Sequence, residues 1–214
     1  MCVIVYKPSK VQISREILEK CAKANPHLMG AMYFSNRGIE LIRGCKSVDK
    51  LLHSLPDNWK SHDICFHFRI ATSGKVNVEN SHPFPIFNSR SQSILAQTRV
   101  LAKAALMHNG IVPALGSKKD LEKLSDTALL VKNKLSKLSR FQIVSVLSKL
   151  ANQTGSHFIY VESGKESFAR FFGDWKKLDG LFFSNLNWRY ASVSRAAEYD
   201  EFSSGADPDY DTRG

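Results

Sequence analysis

Apolar residues recur along this chain with two alternating periods, one of two residues and one between three and four. Val3–Tyr6 is a short run of β-formers and predicts a buried strand. Ile13, Ile17, Cys21 and Ala24 then fall at helical spacing, and Asn25-Pro26 ends the helix. Residues 31–35 and 39–42 flank Asn36-Arg37-Gly38, the turn chemistry of a hairpin. Ser47 predicts the N-cap of a short helix running to Leu55 and stopped by Pro56. Over 63–72 the alternation predicts a strand with Ile64, Phe66, Phe68 and Ile70 on one face and Cys65, His67 and Arg69 on the other.

Pro83 and Pro85 make 80–90 a loop or an irregular edge. Residues 104–108 read as a strand entering Asn109-Gly110, and helices are predicted over 126–137 and 140–152. The second opens with Ser139-x-x-Gln142, a capping box, and carries Ile143, Val144, Leu147, Leu150 and Ala151 as its apolar stripe. Strands return at 157–161, 168–172, 180–184 and 189–193. With strands at both ends and helices between, the fold class is α+β, and helix-on-sheet and sheet-on-sheet packing are both required. Neither an internal repeat nor an inter-domain linker interrupts the pattern.

The charge modifies this picture. The 214 residues carry a formal +10. From Glu198 the chain reads EYDEFSSGADPDYDTRG, with six acidic residues and one basic. This segment, 198–214, predicts a solvated, disordered tail after a folded body at 1–197. The body alone has 29 basic and 14 acidic residues, a net of +15. Seven basic residues lie in 118–140, interleaved with a helical apolar stripe. They read as a solvated helix face, which makes nucleic acid an unlikely partner. Cys2, Cys21, Cys45 and Cys65 are scattered, with neither a zinc spacing nor a disulfide framework, and the seven histidines form no cluster in the sequence. The five apolar residues before Lys7-Pro8 are too few for a signal peptide, and no run is long enough to span a membrane. The expected compartment is a reducing cytoplasm.

Four positions could carry chemistry. If the initiator Met is removed, Cys2 holds a thiol beside an α-amine that titrates near neutrality and can serve as its base. The plain alternative is a small buried cysteine opening a strand. Asn109-Gly110 is either a hairpin turn or an oxyanion hole built from a side-chain amide and a backbone N–H. Arg69 lies in an otherwise apolar strand and needs an anion, either a structural partner or a ligand carboxylate held bidentately. Asp126 opens a helix, where it favours the N-terminus electrostatically or binds a substrate ammonium. Nucleotide-binding glycine loops, zinc-protease and serine-hydrolase motifs are all missing from the sequence.

Taken in order, Met1-Cys2 opening a strand, HFRIATSG (67–74), NSHPF (80–84), MHNGIV (107–112), SDT (125–127) and DGLFFSN (179–185) resemble the class II glutamine amidotransferases of the N-terminal nucleophile hydrolase superfamily. The likeness spans residues 2–185, and is closest to the stand-alone bacterial and phage type. One departure is Ser73, where many members of the family carry His. The resemblance implies a four-layer αββα sandwich over 1–197. It implies Cys2 as nucleophile, its α-amine as base, and Asn109 and Gly110 as the oxyanion hole. Arg69 would hold the glutamine α-carboxylate and Asp126 its α-ammonium, with Thr72 and His82 also lining the substrate pocket. It implies no cofactor and no metal. The likeness to the stand-alone type implies that the ammonia passes to a separate synthase. Two other readings remain open: an amidohydrolase acting on a γ-glutamyl or other amide, and an inactive binding protein with this fold.

Overall fold

The computed structural model describes residues 2–72, 74–86, 92–113, 115–164 and 167–190. The acidic segment 198–214, Ser73 and the end of the strand expected at 189–193 lie outside them. The elements in chain order are β1 (Val3–Lys7), α1 (Arg15–Ala24), β2 (Leu28–Ser35), β3 (Gly38–Cys45), α2 (Val48–His53), β4 (Ile64–Arg69), β5 (Phe84–Ile86), β6 (Arg99–Ala102) and β7 (Ala104–Asn109). They continue with α3 (Lys118–Lys123), α4 (Asp126–Asn133), α5 (Arg140–Thr154), β8 (His157–Glu162), β9 (Phe168–Phe172), β10 (Lys176–Leu178) and β11 (Leu181–Phe183). The α+β class expected from the sequence is the class observed.

The strands form two antiparallel sheets. The larger has the order β10-β11-β1-β4-β2-β3-β6, the smaller β5-β7-β8-β9. Alternation along the strands feeds three cores. Val3, Val5, Phe66 and Phe68 of the large sheet pack with Leu18 and Cys21 of α1 and Val48 and Leu51 of α2. Leu106, Phe158 and Tyr160 of the small sheet pack with Leu130 and Val131 of α4 and Ile143 and Leu147 of α5. The opposite faces meet each other: Ile4, Met32, Leu41 and Cys65 pack against Ala105, Met107 and Ile159. Both faces of β4 are therefore covered, and all six of its residues are buried. Each fully buried Leu, Ile or Phe contributes roughly 1.5–3 kcal/mol.

Several expected boundaries move. The strand predicted over 63–72 leaves the ladder after Arg69. The helix predicted over 126–137 ends at Asn133, and a separate 3-10 turn covers Leu135–Lys137. Residues 187–190 form a 3-10 turn that buries Trp188, where a strand was expected from 189. The prolines of 80–90 do mark an edge: among the described residues β5 pairs only with β7, and Pro85 sits at the outer edge of the sheet. The short strands β6 and β10 carry no sequence signal, because β6 buries only Val100 and β10 buries nothing fully. Among the described residues, no helix is long and apolar enough to cross a membrane.

Candidate active site

Strand register assembles the site. β1 runs antiparallel to β4 with Val3 opposite Phe68 and Ile4 opposite His67, so Cys2 arrives beside Arg69 and Ile70. By the two-residue period, Cys2 shares the face of Ile4, Arg69 that of Cys65, and Asn109 that of Met107. All three therefore belong to the inner faces, at the ends of their strands.

The Cys2 thiol takes the place of a backbone partner at the point where β4 leaves the ladder. Its sulfur accepts from the Ile70 N–H and donates to the Ile70 C=O, both at 3.4 Å, while its own carbonyl accepts from Asn185 Nδ2 at 2.8 Å. Burial pushes the thiol above its ordinary range, opposed by the Ile70 N–H and the positive charge of Arg69. A thiol held this way is a poor nucleophile until a base removes its proton.

Arg69 is buried, and its Nη1 donates to the Lys75 carbonyl at 3.1 Å. Burial pushes the guanidinium down from its usual range, while the Asp126 carboxylate supports its charge. Asp126 fills the first of the two roles read from the sequence, at the N-terminus of a helix. It opens α4, where Oδ1 accepts from the Thr127 N–H at 2.7 Å, and its Oδ2 accepts from the Val112 N–H at 3.0 Å. That second bond ties α4 to the loop leaving Gly110.

Asn109-Gly110 is not a hairpin turn. β7 ends at Asn109, and the chain runs on through a loop to α3. Gly110 has φ +143°, and a Cβ there would sit 2.2 Å from Ser156 Oγ, so only glycine fits. Asn109 is buried, and its Nδ2 donates to Ser184 Oγ at 2.9 Å. Ser184 Oγ also accepts from the Ile4 N–H at 2.9 Å, and the Ser184 N–H donates back to the Ile4 carbonyl. Asn109 is thereby wired to β1, two residues from Cys2. Its Oδ1 is buried without a partner, an arrangement that costs about 1–3 kcal/mol in an ordinary interior.

The two remaining expected pocket residues lie apart from this network. Thr72 is exposed and makes no hydrogen bond among the described residues. His82 is buried inside a group of three histidines that the sequence spacing did not reveal. Its ring stacks on His67 at 4.0 Å and lies 6.5 Å from His108. His67 Nε2 bonds the His108 carbonyl at 3.1 Å, His108 Nδ1 pairs with Thr127 Oγ1 at 2.8 Å, and neither nitrogen of His82 has a partner. Burial holds all three neutral, pushing His67 to about 3, His108 to about 4 and His82 well below its ordinary value. Among the described residues, no group of three or more His, Cys, Asp or Glu is arranged to hold a metal.

Ser184 and Asn185 were also missed as individual residues, although their segment, DGLFFSN, stood out in the sequence. Both further line an open cleft of about 970 Å³ with His157, Asn152 and Lys176, a cleft that includes none of Cys2, Arg69, Asn109 or Asp126. No family model matches the chain. No curated protein is significantly similar to it.

Proposed function

We propose that the protein is a glutaminase of the class II glutamine amidotransferase kind, releasing ammonia from the glutamine side chain for a separate acceptor protein. The observation that carries this reading is the register of β1 against β4, which brings Cys2 to Arg69 and Ile70 while Ser184 links Asn109 to the same strand. The four-layer αββα arrangement belongs to the same proposal, and the three separate cores support it.

With Met1 removed, the α-amine of Cys2 takes the thiol proton, and the thiolate attacks the glutamine side-chain carbonyl carbon. The C=O electron pair moves to oxygen, where the Asn109 amide and the Gly110 N–H stabilise it. Collapse breaks the C–N bond, the amine returns the proton, and ammonia departs from a γ-glutamyl thioester. Water then attacks the thioester to release glutamate. Arg69 binds the α-carboxylate and Asp126 the α-ammonium. The raised thiol explains why a base on the same residue is needed.

The test is glutamate release from glutamine, read beside the intact mass of the purified protein. The wild type should lack Met1 and hydrolyse glutamine, and Cys2→Ala should lose more than about 1000-fold in kcat. Undiminished hydrolysis by Cys2→Ala, or by protein that retains Met1, would sink the reading.

A further inference from the structure

The Asn109–Ser184 contact carries a defect that points to its use. Ser184 Oγ accepts two hydrogen bonds, from the Ile4 N–H and from Asn109 Nδ2. Its own proton then has no acceptor among the described residues, although Ser184 is 2% exposed. Asn109 Oδ1 is likewise buried without a partner. A buried donor and a buried acceptor are thus left idle on two neighbouring side chains.

Rotating the Asn109 amide by 180° about its last torsion exchanges oxygen and nitrogen with no movement of the chain, so the idle Ser184 proton and the idle Asn109 oxygen pair with each other and the unmet hydrogen-bonding capacity moves to Nδ2. The Ile4 N–H would still donate to Ser184 Oγ, and the Ser184 O–H would donate to Asn109 Oδ1. Nδ2 would then occupy the unpartnered position with two N–H groups to give. In the unrotated form that position presents a carbonyl oxygen, which repels a developing oxyanion. The geometry points to Ser184 as the positioning residue that sets the working orientation of the Asn109 amide, with its hydroxyl donating to Oδ1 so that Nδ2 faces the substrate. The inference rests on the proposed glutaminase reading for its consequence in catalysis, and on geometry alone for the orientation.

Neutron diffraction from deuterated wild-type crystals reads the orientation directly. A deuteron on Ser184 Oγ directed at Asn109 Oδ1 is expected. Deuterons on Nδ2 directed at Ser184 would overturn the assignment, whatever the activity. Kinetics read the consequence. Ser184→Ala should lower kcat for glutamine about 100-fold with KM changed less than about threefold, the signature of a lost oxyanion donor. Alkylation of Cys2 by iodoacetamide passes through no oxyanion, so its rate should stay within about twofold. Ser184→Thr, which keeps the hydroxyl, should recover most of the loss. A Ser184→Ala enzyme with unchanged kcat overturns the role, and so does a parallel fall in kcat and alkylation rate, which would mark Ser184 as a prop for β1. The two readings fail separately: an active Cys2→Ala removes the glutaminase and leaves the neutron result standing.

Discussion

Gly110 has no room for a side chain. Its φ of +143° is closed to other residues, and the space a Cβ would fill already holds Ser156 Oγ. Gly110→Ala should cost at least about 2 kcal/mol from backbone strain and overpacking together. It should also displace the Asn109 amide, so urea unfolding and glutamate release should both decline. Near-wild-type values for both would mean that the loop re-forms elsewhere and that Gly110 does not set the geometry. At this scale the sequence was informative where a residue speaks through its own strand. The alternation of Cys65, His67 and Arg69 against Ile64, Phe66 and Phe68 is visible in six letters and holds in the structure. Ser184 was not legible in that way, because its meaning depends on pairing with Ile4, 180 positions away. The Asn-Gly pair shows the opposite failure. Its local turn preference was real, but β8 comes 47 residues after Gly110, so β7 could not close into a tight hairpin.

Elements joined by side chains rather than by ladders are where stability is concentrated in few residues. Arg43 on β3 is 1% exposed, and its guanidinium donates to the carbonyls of Val78, Ser81, Leu95 and Gln97, with Phe84 5.4 Å from its centre. Among the described residues its hydrogen bonds all go to backbone carbonyls; burial pushes it down to about 10, and the Glu79 charge opposes that shift. That one side chain fixes the segment leading into β5 and the segment leading into β6, whose own regular structure among the described residues is a short 3-10 turn each, Val78–Asn80 and Gln92–Ala96. Arg43→Met removes the donors and leaves the carbonyls buried, which should cost roughly 3 kcal/mol or more. The amides of 78–86 and 92–97 should exchange faster while those of β1 and β4 do not. Uniform acceleration would place Arg43 in the global core instead. The same logic explains why β5 and β6 were hard to read: an arginine in an apolar strand announces a buried partner, but not that the partner is a loop 35 to 54 residues away.

The whole molecule is held together where the two sheets meet, and three neutral imidazoles sit at that junction. His67 belongs to β4 of the large sheet, His108 to β7 of the small one, and His82 lies between them, its carbonyl pressed against Gly30 of β2. The charges they feel are Arg69 and Arg43 on one side and Asp126 and His157 on the other. An unfolded histidine titrates near 6.5, whereas the folded values are about 3 for His67, about 4 for His108 and well below the ordinary value for His82. Below pH 6.5 the unfolded chain therefore binds protons that the folded chain refuses. The stability these groups contribute is complete above about pH 7 and is lost as pH falls through 6.5 toward 4. Each histidine adds a slope of about 1.4 kcal/mol per pH unit, so three acting together make the molecule acid-labile well before its carboxylates protonate. Urea unfolding at intervals from pH 7.5 to 4.5 should show that slope, and His82→Phe should lower it by about one proton. The phenyl ring keeps the stack on His67 and the edge contact with Phe84, so the variant should be at least as stable as wild type at pH 7. A wild-type profile that stays flat between pH 6.5 and 5 would show that the histidines take up protons in the folded state. The junction between the sheets would then have to open to water without unfolding the chain.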